Sequence, residues 1–221
     1  METITIAPIL KEACPHAALG CIQGKVQVQP SPSGLLEEIQ QACDRLQREL
    51  PLAQIQEREQ IANTRLAYKA MGKDPHRYRN SAEAMCRRIV QGKGLYRINN
   101  VVDCNNLISI LSGYSLGTYD LANIQGPICW TVSPTGTHYQ GIGKDQINVE
   151  HLPVLQDQQG PFGNPTSDCV RAMITPNARE ILMCIYSFGR PQDMEPLLLQ
   201  AKSLLETYCD GEDLQWGIVT E

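Results

Sequence analysis

YRINNVVDCNNLISILSGYSLGTYDLANIQG, residues 96–126, is the densest run of unusual polar and glycine positions in this 221-residue chain. The run predicts a short helix over 101–111 that stops at Gly113. Asp103, an acid beside the helix start, reads as a cap for exposed N–H groups, which makes it structural.

Upstream, residues 3–9 and 19–29 alternate apolar and polar side chains, as two strands would. Pro30 to Gly34 (PSPSG) breaks the pattern, and Ser33 is placed to cap a helix running to about 50, with Leu35, Leu36, Ile39, Cys43 and Leu46 at helical spacing. Pro51 ends it. A second helix is predicted over 53–71, with Ile55, Ile61, Leu66 and Ala70 on its inner side and Gly72 closing it. A third, over 82–91, is begun by Ser81 and Glu83 and stopped by Gly92-Lys93-Gly94. Downstream, 128–132, 147–149, 152–156, 169–174 and 180–186 read as strands between Gly, Pro, Asn and Asp. A helix over 194–209 and a closing strand over 214–219 complete the chain.

Strands, then helices, then strands, without regular alternation, predict an α+β domain over a doubly wound sheet. No linker or repeat divides the chain. We take 1–221 as one unit, with N-terminal strands and helices over 1–71, a core over 72–190 and a C-terminal helix and strand over 191–221. No Gly-x-Gly-x-x-Gly follows the first strand, and Gly92-Lys93-Gly94 lacks the rest of a P-loop, so neither a dinucleotide-binding fingerprint nor a P-loop is present.

The composition, 42% hydrophobic and 19% charged, is that of an ordinary folded chain. No stretch approaches a membrane span and the first residues lack a signal-peptide pattern, so the expectation is a cytoplasmic protein with no membrane partner. Nine scattered cysteines without a Cys-x-x-Cys pair read as reduced thiols. Cys14, His16 and Cys21 lack a fourth ligand, and no metal or organic cofactor is implied. The formal charge is −5, yet residues 65–97 hold nine Lys and Arg against Asp74 and Glu83. That segment is +7 and the rest −12. The asymmetry fits either a polyanion-facing surface or a helical face paired with acids elsewhere.

The 96–126 run resembles the core of the tRNA-binding and editing domain, the "B three/four" domain, of the phenylalanyl-tRNA synthetase beta subunit. That family has an Arg-x-Ile-x-x-Val-Val-Asp run, an Asn, a helix, a Gly, and an Asp ahead of Ile-x-Gly. Arg97, Ile98, Val101, Val102, Asp103, Asn106, Gly113, Asp120, Ile124 and Gly126 stand in those places. Gly163-Asn164-Pro165-Thr166-Ser167-Asp168 is similar to a glycine-led turn of the family that ends in a small residue and often an acid. The 72–94 stretch and the C-terminal helix look like those of free-standing relatives.

The resemblance implies helices packed on a mostly antiparallel sheet sandwich, with a pocket for the 3′ end of a tRNA. In the synthetase that pocket hydrolyses the ester of a wrongly attached amino acid. Asn106 and Asp168 match positions beside the substrate and are the catalytic candidates: Asn106 would position the adenosine or amino acid, and Asp168 would grip the ammonium or order water. Gly163 and Asn164 would supply backbone donors. Arg87, Arg88 and Arg97 are the candidates for tRNA phosphate contacts. Where the family carries histidine, three residues before the matched Asp120, this chain has Gly117, which puts hydrolysis in doubt; Thr118 or Tyr119 would have to compensate. Cys104 and Cys169 match apolar positions and read as structural thiols. The expected partner is tRNA or aminoacyl-tRNA, with a homodimer left open. Three functions stay open: a deacylase acting in trans on mischarged tRNA, a non-catalytic tRNA or amino-acid-binding module, and a small-molecule enzyme that reuses the pocket.

Overall fold

The computed structural model describes residues 2–221. Strand β1 (Ile4–Ile6), helix α1 (Pro8–Ala13) and strand β2 (Ala18–Lys25) open the chain, followed by helices α2 (Ser33–Glu49), α3 (Glu59–Ala70), α4 (Ser81–Val90) and α5 (Asn100–Ser112). Then come β3 (Ser115–Asp120), β4 (Ile128–Val132), β5 (His138–Gln140), β6 (Gln146–Asn148), β7 (Pro153–Asp157), β8 (Gly160–Gly163) and β9 (Glu180–Ser187). Helix α6 (Met194–Tyr208) and β10 (Glu212–Val219) finish it. This is the expected α+β architecture.

Two four-stranded sheets and a helical layer are stacked. One sheet runs β10-β2-β9-β3, wholly antiparallel; the other runs β1-β4-β7-β8, with only the β1–β4 pair parallel. Strand β9 of the first sheet lies between the helical layer and the second sheet, and because side chains alternate along a strand it presents apolar residues to both. Ile181, Met183 and Ile185 pack under α2, α4, α5 and α6, whereas Leu182, Cys184 and Tyr186 pack against Trp130, Val154 and Phe162 of the other sheet. Strands β2 and β3 do the same, with Ile22 and Leu116 on the helical side and Cys21 and Tyr119 on the other, so two hydrophobic cores share this sheet.

Helix α5 is buried nearly all round, and its polar residues tie neighbouring segments together. Asn100 accepts from the Gln29 N–H and donates to the Gln27 and Tyr208 carbonyls. Its cap is Asn99, which accepts from the Val102 N–H. Asp103 instead accepts from the Ile98 N–H and the Ser31 hydroxyl, so the expected cap serves the preceding loop.

Several local readings are corrected. Strand β1 ends at Ile6 because Pro8 starts α1. Pro32, not Ser33, stands at the α2 N-cap. The helix expected over 53–71 is interrupted: residues Gln54–Glu57 form a 3-10 turn, and Arg58 is extended before α3 begins. The interruption resets the helical phase, so Leu66, 62% exposed, and Ala70 face outward while Thr64, Ala67 and Tyr68 face inward. Residues 169–174 form no strand; they hold a 3-10 turn, tied down by Arg171, whose two terminal nitrogens grip Asp157 at 2.9 Å each. No helix among the described residues is long and apolar enough to cross a membrane.

Candidate functional site

Strand β3 sorts the residues expected in the site. Thr118 faces the helical layer and donates to the Asn105 side chain at 3.0 Å, and Asn105 donates to Asn106 at 3.1 Å. The next residue, Tyr119, points the other way, into the core between the sheets, and donates to Asp168 Oδ1 at 2.8 Å. Asn106 and Asp168 therefore stand on opposite sides of β3.

Around Asp168 the polar groups are tightly arranged. Asn164 organises the turn after β8: its Oδ1 accepts from the Thr166 and Ser167 N–H groups, its Nδ2 donates to the Tyr139 hydroxyl, and its own N–H donates to Asp168 Oδ1 at 3.2 Å. The Tyr139 hydroxyl donates to the Ser167 carbonyl at 2.6 Å, and Tyr68 exchanges a hydrogen bond with Thr166 at 2.8 Å. Tyr186 lies 2.5 Å from the Tyr119 hydroxyl. Burial pushes the phenols of Tyr119, Tyr139 and Tyr186 up, so they remain donors at neutral pH. Burial also raises the Asp168 carboxyl to about 7, against the opposing pull of its bonds from Tyr119 and Asn164. Asp168 sits deep in the molecule but keeps partial solvent access, and among the described residues no donor reaches its Oδ2.

The two glycines of this region make room for Tyr119. A Cβ on Gly117 would lie 2.0 Å from the Tyr119 hydroxyl, and one on Gly163 would lie 2.1 Å from it. The space a side chain at 117 would take is thus filled by a buried phenol already bonded to Asp168. Tyr119 and Gly163 lie in the core, and Asn164, 3% exposed, reaches the surface only at the edge of a cavity. That cavity, about 290 Å³, is walled by Tyr78, Ile147, Val149 and Leu152, with Arg77 and Lys144 at its margin and Asn164, Thr166 and Ser167 on its polar side. Of these, Asn164, Thr166 and Ser167 belong to the turn found in the sequence, whereas their meeting with Tyr78, Lys144 and Leu152 joins separate segments and has no local signature.

A second feature lies on α4. Glu83, with no exposed surface, holds Arg65 at 2.9 Å, Arg79 at 3.4 Å and Arg87 at 2.8 Å. The Asn80 side chain caps α4 by accepting from the Glu83 N–H. Three guanidiniums thus gather on one buried carboxylate. Arg79 and Arg87 go on to line a groove of about 400 Å³ with Met85, Arg88, Gln91, Lys93 and Tyr96, and no acid lines it. Arg88 stacks its guanidinium 4.0 Å from the Tyr96 ring centre. Arg97 is not in this groove; it lies in another beside Gln40, Asp44 and Gln47. The Arg79, Glu83, Arg87 spacing of four was a readable sign of this arrangement, whereas Lys93 and Tyr96 reach it through the loop after α4.

Neither candidate cysteine is free to act as a nucleophile in this arrangement. Cys104 is buried 3.8 Å from Cys209, which together with burial pushes its thiol up, and Cys169 is buried at the 3-10 turn. Among the described residues no group of three or more His, Cys, Asp or Glu side chains could hold a metal ion. A larger surface groove, about 550 Å³, at Lys25, Arg179, Asp210 and Glu212 mixes both charges and includes none of the expected site residues.

Residues 63–193 match the family described as the B3/4 domain. No curated protein matches the sequence. Matching chains of solved structures include an N-terminal fragment of the phenylalanyl-tRNA synthetase beta subunit from Pyrococcus horikoshii, at 11% identity and a TM-score of 0.46, with 98% of this chain and 50% of that one covered. This chain spans about half the length of that fragment. Because the family match runs over more than half of its length, the chain belongs to the B3/4 domain family.

Proposed function

We propose that this chain binds tRNA or aminoacyl-tRNA. The observation that carries the reading is the groove on α4, in which Arg79, Arg87, Arg88 and Lys93 converge with no acid in its lining. Among the described residues Arg88 and Lys93 have no counter-charge, and Arg79 and Arg87 are held beside them by Glu83; cations so gathered suit a phosphate backbone, which gains affinity by releasing its counterions. Membership in the B3/4 family and the resemblance to an editing domain point the same way. Asn106 and Arg97 belong to other faces of the domain, and under this reading they would contact parts of the ligand away from the groove.

A second reading, hydrolysis of a mischarged aminoacyl ester in trans, is favoured by Asp168. A carboxyl raised to about 7 by burial, in a residue that is not fully buried, suits a general base for an attacking water. Tyr119 fills the space beside Gly117, so the base would work without a neighbouring histidine.

The test combines two measurements on the purified chain. Filter binding with tRNA at low and high salt is expected to give binding that weakens with salt, and absence of binding at low salt would overturn the proposal. Release of amino acid from correctly charged and mischarged tRNAs then separates the readings. Hydrolysis lost in Asp168→Ala, with Asn106→Ala as a second variant, would establish the deacylase; tRNA bound but never discharged would leave a binding module.

A further inference from the structure

Tyr96 is the exposed aromatic of the α4 groove. Tyr96 as a whole remains 61% exposed although Arg88 covers one face of its ring, which leaves the opposite face to solvent. Arg88 has no acid partner among the described residues, and its Nε is buried without a hydrogen-bond partner. Lys93, on the same loop as Tyr96, likewise pairs with no carboxylate among the described residues. Gly92 and Gly94 flank Lys93 with φ of 74° and 60°, a conformation that glycine adopts without steric cost and that turns the loop back along α4. On the other side of the groove, Arg79 and Arg87 are held in place by the buried Glu83.

A pre-set row of cations beside one open aromatic face is the arrangement that captures an unpaired nucleotide: phosphates lie along the charges while the base stacks on the ring. A duplex offers its phosphates but keeps its bases stacked on each other. We propose that this groove is a binding site for single-stranded RNA, with Arg79, Arg87 and Lys93 on the backbone and one base stacked on Tyr96 against Arg88. This inference rests on the tRNA-binding reading and narrows it to an unpaired segment.

The experiment is fluorescence anisotropy with a labelled single-stranded RNA of about eight nucleotides, within the usual span of such sites, the same sequence paired in a duplex, and whole tRNA. The single strand is expected to bind more tightly than the duplex. Tyr96→Ala should weaken single-strand binding about tenfold, the loss of one stacked base, while Tyr96→Phe, which keeps the ring, retains it. Lys93→Ala should weaken single strand and duplex alike. The exposure of Tyr96 makes misfolding of the variant a minor concern, and an unchanged unfolding midpoint checks it. Equal affinity for duplex and single strand, or an unaltered affinity in Tyr96→Ala while tRNA still binds, would overturn this inference alone. Failure of the wild-type chain to bind any of the three RNAs would overturn the tRNA-binding reading itself.

Discussion

Gly117 shows how one residue decides what its neighbourhood can hold. It stands where the resembled family carries histidine, yet the space is occupied: the buried Tyr119 phenol lies where a Cβ would go. Overpacking a filled core costs on the order of 1–3 kcal/mol. Gly117→Ala is therefore expected to lose roughly 3 kcal/mol in urea unfolding, whereas in a Tyr119→Ala background, itself destabilised by loss of the buried phenol, the same substitution should cost much less, since the two sites share one volume. Additive losses would show that the clash is relieved elsewhere. Asp168 gives a second prediction at this scale. Its folded pKa of about 7 lies above the ordinary carboxylate value of about 4. The folded chain thus keeps a proton that the unfolded chain releases in between, so the favourable contribution is complete below about pH 4 and lost as pH rises through about 7. Asp168→Asn keeps an oxygen to accept from Tyr119 and Asn164 but carries no charge. Relative to wild type it should gain stability steadily from pH 5 to pH 7.5 and level off above; parallel unfolding midpoints over that range would contradict the assignment.

At the scale of elements, Arg58 explains a break that periodicity did not show. Its extended backbone ends the 3-10 turn and frees its guanidinium to donate to the Ile110 and Leu111 carbonyls at 2.8 and 2.7 Å. These are among the last carbonyls of α5, which lack partners within the helix, and a cation there also complements the helix dipole. Arg58→Ala is expected to cost about 2–3 kcal/mol, measured by urea unfolding, and Arg58→Lys to recover only part because it lacks the two-pronged geometry. Most helices and long strands were legible in the sequence, since α2, α4, α5 and α6 carry clear stops or apolar faces and β9 is a continuous apolar run. What escaped notice were the short elements α1, β5 and β8 and, most consequentially for the site, β3, which carries Gly117, Thr118 and Tyr119. Its Ser, Gly and Asp interrupt the strand signal of Leu116, Thr118 and Tyr119, and the pairing with β9 makes it a strand. The site was legible in part for the same reason: the turn holding Asn164 and Asp168 could be found in sequence, but not that β3 turns Thr118 and Tyr119 to opposite sides.

Across the whole molecule, the charge bias of residues 65–97 was visible as a sum but not as an arrangement. Summation counts Arg65, Arg79 and Arg87 alike, whereas the fold sets all three on Glu83 and leaves Arg88 and Lys93 unopposed. The groove is thereby pre-organised, and the acidic remainder of the chain would discourage indiscriminate contact with polyanions. Binding should depend on a few charges in one place. The most direct measurement is the affinity for tRNA across a salt series, for the wild-type chain and for Arg79→Ala combined with Lys93→Ala. Log Kd is expected to rise linearly with log salt concentration with a slope of about 3, and the double variant to bind more weakly with a slope lower by about 2. No binding at low salt, or a slope unchanged in the double variant, would contradict this reading.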